Sequence, residues 1–304
     1  LKLSQGAKPG DGGILPGAKV TPEIAEARGV SVGEDCVSPA SHSAFSTPIE
    51  MLEFIDRLRE LSGGKPIGFK LAIGHPWEWF AIVKAMLETG RQPDFIVVDG
   101  GEGGTGAAPL EFINRLGMPM TEALLLVHNT LVGTNLREDI AIGAAGKITS
   151  AFNIARTLAL GADWCNAARG YMFALGCIQA LNCHTGRCPS GVATQDPRRG
   201  NKLDVEHKSQ RVYNYHKNTL DALQNLLEAS GLKHPSELGP EHIVRRVSKT
   251  EVHSYMDLFP FLEPGALLEG KTGLTIFDKY WEFARSDTFE PPEFILKLRE
   301  TKLR

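Results

Sequence analysis

Three of the five cysteines in this 304-residue chain fall within twelve positions, at Cys177, Cys183 and Cys188 in the stretch GCIQALNCHTGRCP (residues 176–189). Cys177 lies near the end of an apolar, helix-like run over residues 171–181, and Cys183 and Cys188 lie in the turn-rich segment that follows. A chain leaving a helix end can fold back and aim three thiolates at one place, the arrangement an iron–sulfur cluster needs. A four-iron cluster commonly takes four cysteines; the local set stops at three, with Pro189 after the last, so a three-iron cluster is the sharper expectation. A zinc site completed by His184 and three unrelated thiols remain as alternatives, although His184, adjacent to Cys183, is awkwardly placed as a fourth ligand.

Other residue types could do chemistry around this segment. Lys70 lies inside an apolar strand pattern over residues 67–73, where a lysine either snorkels to a rim or points into a site and finds a counter-charge. Asp99 and Glu102 sit in the glycine-rich loop DGGEGGTGA (residues 99–107), placed for acid–base work or for closing turns. Glycine-bearing turns at residues 143–146 and 167–170 follow two late strand patterns and suit a phosphate held on backbone N–H groups. Lys8 and Arg28 flank the first glycine loop; both could hold a dicarboxylate, while their charge alone marks solvated surface. Trp77 and Trp79 read as core packing, His128 as a structural histidine in an apolar helix, and Cys36 and Cys165 as buried strand thiols.

The elements that must position these residues alternate. Strand patterns occur at residues 1–4, 36–38, 67–73, 95–98, 139–143 and 163–167. Helices are expected from Thr21-Pro22, over 48–61, 76–89, 109–116, 120–136, 151–160 and 204–230. This is the rhythm of repeated βα units and a parallel sheet. Glycine-rich segments follow strand ends, and no GxGxxG opens a helix, so a (β/α)8 barrel is favoured over a doubly wound sheet. The barrel needs two strands more than these six, expected upstream of Leu1. Residues 1–230 form the expected barrel domain, and residues 231–304 a mainly helical C-terminal extension.

Hydrophobic content of 42%, charged content of 23% and a formal charge of −3 are ordinary for a globular protein and argue against nucleic-acid or membrane-surface partners. No apolar run reaches the roughly 18–20 residues of a membrane span. Clustered, odd-numbered cysteines fit a reducing cytoplasm better than a disulfide framework.

The stretches QGAKPGDGG with LPGAKVTPEIAEAR (residues 5–28), GFKLAIG (68–74), DGGEGGTGAAP (99–109), ARGYMFALGC (168–177) and CHTGRCPSGVATQDP (183–197) together resemble the FMN-binding domain of glutamate synthases. The resemblance implies an FMN-dependent (β/α)8 barrel of the TIM type, with its first two strands lacking here. It implies Lys70 beside the flavin N1–O2 edge, Gln5 on the ring or substrate, and Glu102 in the loop that approaches the flavin. The FMN phosphate would lie on the backbone around Gly146-Lys147 and Ala168-Arg169. Lys8 and Arg28 would hold the carboxylates of 2-oxoglutarate, and Cys177, Cys183 and Cys188 a 3Fe-4S cluster. The implied activity passes electrons through the cluster to FMN, which reduces 2-iminoglutarate, formed from 2-oxoglutarate and ammonia, to glutamate. Implied partners are an electron donor such as ferredoxin or an NAD(P)H-oxidising subunit, and a glutaminase domain or subunit. The chain departs from the family pattern at Ile14, where glutamine is common, at Ser41-His42-Ser43, where a histidine pair is usual, and at Ala144-Ala145-Gly146. These departures keep two alternatives open: an FMN oxidoreductase acting on another amino or imino acid, and an electron-relay subunit with no substrate of its own.

Overall fold

The computed structural model describes residues 1–6, 13–102, 108–109, 111–270 and 272–302. In chain order its elements are β1 (Ile14–Leu15), α1 (Pro22–Arg28), β2 (Cys36–Val37), α2 (Pro48–Leu61), β3 (Gly68–Leu71), α3 (Pro76–Thr89), β4 (Phe95–Asp99), α4 (Met120–Gly133), β5 (Ala141–Ala145), α5 (Ala151–Ala159), β6 (Trp164–Asn166), α6 (Arg169–Leu175), α7 (Pro197–Gly200) and α8 (Val205–Ala229). The C-terminal part adds β7 (Val244–Arg246), β8 (Val252–Ser254), α9 (Tyr255–Leu258), α10 (Thr275–Tyr280) and α11 (Glu293–Lys302).

Local chemistry sets the helix starts. Thr21 caps α1 through the Ile24 amide, with Pro22 at the first position. Thr47 and Glu50 form a reciprocal capping box on α2, satisfying two N–H groups that no helical carbonyl can reach. Strands β3, β4, β5 and β6 form one parallel sheet in that order. Phe69, Leu71, Ile96, Val98, Ile142 and Ala144 belong to the apolar core shared with α2–α5. Because strand side chains alternate, Lys70, Val97 and Gly143, partners in register across three strands, stand on the opposite face.

The parallel α/β core is as expected, but the sheet differs from six parallel strands. Residues 1–4 contribute a single parallel bridge, Lys2 to Lys70, beside β3. β2 pairs antiparallel with β1, away from the main sheet, in register Ile14–Val37 and Leu15–Cys36. β5 begins two residues later than the pattern suggested. Residues 111–117 form turns, with no helix among the described residues of that stretch. α6 stops at Leu175, where Gly176 adopts a left-handed conformation, so Cys177 follows the helix. Residues 244–254 form an antiparallel hairpin that the sequence pattern gave no sign of.

The segment beyond residue 231 closes over α3 and α4. Asn129 donates to the Pro260 carbonyl and accepts from the Leu262 amide, each at 2.9 Å. Leu267 and Phe277 are buried in the same apolar core as α3 and α4.

Candidate functional site

The C-terminal ends of β3 and β4 bring two opposite charges together. Lys70 Nζ lies 2.8 Å from Asp99 Oδ2; the lysine side chain is one-third exposed and the aspartate nearly buried. The same Asp99 oxygen accepts the Gly6 N–H at 3.1 Å. Gly6 tolerates no side chain there, because a Cβ would stand 1.7 Å from the Gly100 carbonyl oxygen. The arrangement fixes an ammonium ion at the strand ends on the face away from the helices, with its counter-charge behind it. Gln5, next in the chain, accepts from Lys2 Nζ at 2.6 Å. Glu102 turns both carboxylate oxygens to the Met120 amide, at 3.0 and 2.9 Å. It thereby satisfies a free N–H at the start of α4, whose N-cap Pro119 makes no side-chain cap.

The turns after β5 and β6 are neighbours, because Ala145 pairs with Asn166 at the strand ends. Gly146 and Lys147 both take positive φ, 153° and 49°, and the Lys147 ammonium donates to Asn114 Oδ1 at 3.1 Å. Ser150 then caps α5. After β6, Ala168 is the N-cap residue of α6 and Arg169 its first residue. Tyr215, on α8, donates its hydroxyl to the Thr149 carbonyl at 2.9 Å.

The three clustered cysteines are all free thiols. Cys177 Sγ accepts the Gln179 N–H at 3.5 Å, Cys183 opens a short 3-10 turn, and Cys188 is buried. Burial alone raises the Cys188 thiol. Hydrogen bonds from the Ser190 hydroxyl and from the backbone N–H groups of Ala193, Ser190 and Val192 outweigh this and bring it down to about 7, towards the thiolate that binds metal. Among the described residues no group of three or more His, Cys, Asp or Glu side chains converges on one metal ion. Thiols with N–H groups directed at their sulfur atoms are the donor type that would hold an iron–sulfur cluster. The Lys19 ammonium reaches across to the Cys183 carbonyl and ties the loop before α1 to the cysteine segment.

The remaining expected residues are spread out. Arg28 is the exposed last residue of α1, and Lys8 lies outside the described residues. Cys165 is on β6, where burial pushes its thiol up to about 12 despite a hydrogen bond with Thr157; Cys36 is on β2 and half-buried. His128 is held by Arg137, whose Nε donates to His128 Nδ1 at 3.3 Å. Trp79 is buried and donates to Thr130 Oγ1 at 2.9 Å. Sequence reasoning missed Lys19 and Tyr215. Both act through contacts between residues 66 or more positions apart, and no local pattern marks either one.

Known proteins are similar in sequence to this chain. The model of the conserved region in glutamate synthase matches residues 1–233. The glutamate synthase large subunit-like protein YerD of Bacillus subtilis is 47% identical over 246 residues, covering 81% of this chain and 46% of that protein. An archaeal glutamate synthase [NADPH] of Methanocaldococcus jannaschii is 37% identical over 233 residues, 76% of this chain and 45% of that protein. A ferredoxin-dependent glutamate synthase of Antithamnion is 36% identical over 195 residues, 64% of this chain and 12% of that protein. The chain thus spans about half the length, or less, of the curated relatives it matches, and by the extent and identity of these matches it belongs to the glutamate synthase family.

Proposed function

We propose that this chain carries the flavin and iron–sulfur part of a glutamate-synthase-type oxidoreductase, on a barrel of which β3–β6 form the described half. The product of that reaction is glutamate, from 2-iminoglutarate formed out of 2-oxoglutarate and ammonia. FMN, when bound, would supply hydride transfer, and a 3Fe-4S cluster would supply single electrons from a donor such as ferredoxin or an NAD(P)H-oxidising subunit. The observation that carries the reading is the Lys70–Asp99 pair. It holds a partly exposed ammonium ion at the C-terminal ends of parallel strands, the end where barrels of this kind build their sites.

The residues then divide the work. Lys70 offers positive charge to an electron-rich ring edge, and Asp99 with the Gly6 amide fixes its direction. Gln5, steadied by Lys2, lies at the same strand ends and would touch the ring or the substrate. Glu102 holds the loop that approaches the flavin against α4. Backbone groups around Gly146-Lys147 and Ala168-Arg169 would take the phosphate. Lys8 and Arg28 would bind the two carboxylates of the substrate, and Cys177, Cys183 and Cys188 would hold the iron. Ammonia would come from a glutaminase domain or subunit. Cytoplasmic work fits the free thiols; among the described residues no helix is long and apolar enough to cross a membrane. Ile14, which stands on β1 with its side chain largely exposed, favours the second reading, an FMN oxidoreductase acting on another amino or imino acid.

The test uses the full-length protein purified without oxygen. Iron content, low-temperature EPR of the oxidised protein and the visible spectrum should show a three-iron signal together with flavin bands. Cys177→Ser, Cys183→Ser or Cys188→Ser should each lose the signal, because cluster iron is held by thiolate; Cys36→Ser and Cys165→Ser should keep it. Stoichiometric zinc without iron would remove the cluster, and no glutamate from 2-oxoglutarate and ammonia would favour the second reading.

A further inference from the structure

We propose that Tyr215 is a positioning residue that locks together the two turns on which the phosphate of the flavin would rest. The inference rests on the FMN reading above and assigns a task to α8, a helix outside the βα units. Two independent contacts carry it. The Tyr215 hydroxyl donates to the carbonyl of Thr149 at 2.9 Å, three residues after Gly146 in the turn that joins β5 to α5. The same hydroxyl and ring fill the space beside Gly170, the residue after Arg169. A Cβ at Gly170 would stand 1.9 Å from the Tyr215 hydroxyl oxygen and 2.4 Å from Cζ. One side chain therefore sits against both the turn before α5 and the first turn of α6, which continues directly from the turn after β6, and holds the two at a set separation.

Tyr215 is itself held from the α6 side. The Tyr171 ring meets it edge-on, with centroids 4.9 Å apart, and the Tyr171 hydroxyl is hydrogen-bonded to His216 Nδ1 at 2.5 Å. A phosphate bound by backbone N–H groups from two turns needs those groups at a set distance, since such bonds weaken steeply when length and angle are lost. Holding the turns before the ligand arrives reduces the ordering cost of binding. This task predicts a particular selectivity: loss of the hydroxyl should weaken a flavin that carries phosphate and spare one that does not.

The experiment titrates FMN and riboflavin into the flavin-free full-length protein and its Tyr215→Phe variant, read by flavin fluorescence. Tyr215→Phe keeps the ring and removes one hydrogen bond. FMN should bind about tenfold more weakly, the size of one hydrogen bond near its upper range, and riboflavin within about twofold of wild type. Gly170→Ala, which forces the turns apart from the other side, should shift the same ratio in the same direction. Unchanged FMN affinity, or equal weakening of both flavins, in both variants overturns the role of Tyr215 while wild-type FMN binding leaves the FMN reading standing. A wild-type protein that binds neither flavin, or binds both equally, overturns the phosphate site and the inference with it.

Discussion

Lys70 and Asp99 make opposite predictions for the flavin potential, and so test the direction of the lysine. Lys70→Met removes the positive charge that would stabilise the anionic reduced ring and leaves the nearly buried Asp99 negative beside it. The potential should fall, by roughly 1–3 kcal/mol or on the order of 30–60 mV for a two-electron couple. Asp99→Asn keeps Lys70 and removes the nearby negative charge, so the potential should rise. Spectroelectrochemical titration of both variants reads the signs, and a shared sign or no shift means that the lysine does not face the ring. A second residue, His128, titrates through the fold. Burial, with Arg137 beside it, lowers its pKa to about 4, against the pull of Asp163. Between about 6.5 and 4 the unfolded chain takes up a proton that the folded chain refuses, so stability is full above pH 6.5 and declines as pH falls through that window. The loss approaches about 3 kcal/mol at pH 4. Denaturant midpoints at pH 7.5 and 5 should differ more for wild type than for His128→Gln, which keeps a neutral ring-sized acceptor. The types of these residues were legible in sequence: a lysine in an apolar strand demands a counter-charge, and an apolar helix demands a quiet histidine. Which carboxylate answers Lys70 was not, since Asp99 is 29 positions away and register alone brings it near.

At the scale of elements, the strands are pinned at their starts by a device used twice. Asp94, just before β4, accepts from the Ile67 amide at 2.6 Å and from Arg59 of α2 at 3.1 Å, and Arg59 also reaches the Gln92 carbonyl. Asp163, just before β6, accepts from the Ile142 amide at 2.6 Å and from Arg137 at 2.9 Å, and Arg137 also reaches the Gly161 carbonyl. Each clamp sets the register of one strand on its neighbour at the end remote from the candidate site. Asp94→Asn and Asp163→Asn should each cost about 1–2 kcal/mol, discounted because the carboxylates are over 40% exposed; urea unfolding reads the loss, and flavin binding should persist. The clamps were invisible in sequence because each joins groups from segments separated by 20 or more positions. Local signals did better: Thr47, Pro48 and Glu50 announce α2, and Asp204 announces α8 as its N-cap. They failed where tertiary context decides. The Cys36 strand pairs with Ile14–Leu15 instead of joining the main sheet, residues 111–117 turn instead of coiling, and the hairpin of β7 and β8 carries almost entirely exposed residues with no apolar face to betray it.

Taken as a whole molecule, the chain does not stop burying core where the family match ends at residue 233. Leu238, Ile243, Tyr255, Leu267, Phe277 and Ala284 are each less than 10% exposed and belong to the same apolar core as Phe80, Leu124 and Leu131. Phe80 meets the Phe277 ring at 5.4 Å and the Trp281 ring edge-on at 5.4 Å, and Leu267 fills the space that Gly133 leaves open on α4. At about 1.5–3 kcal/mol for each large side chain buried, this contact is worth on the order of 10 kcal/mol before ordering costs, comparable to the whole stability of a typical domain. The sequence boundary at 230/231 therefore marks a change of pattern more than a seam in the packing, because a helix such as α3 that is apolar on most sides must be covered by something. We expect the 304-residue chain to unfold in one cooperative transition. Truncation after Ser230 should expose α3 and α4 and give a protein that binds apolar dyes and lacks a sharp thermal transition. Phe277→Ala, which leaves the chain at full length, should lower stability by about 3–5 kcal/mol. Calorimetry of the full-length protein and the truncated form reads both outcomes. A truncated chain that melts cooperatively at the full-length midpoint would show that residues 231–304 are an appendage, and that α3 and α4 are stable without their cover.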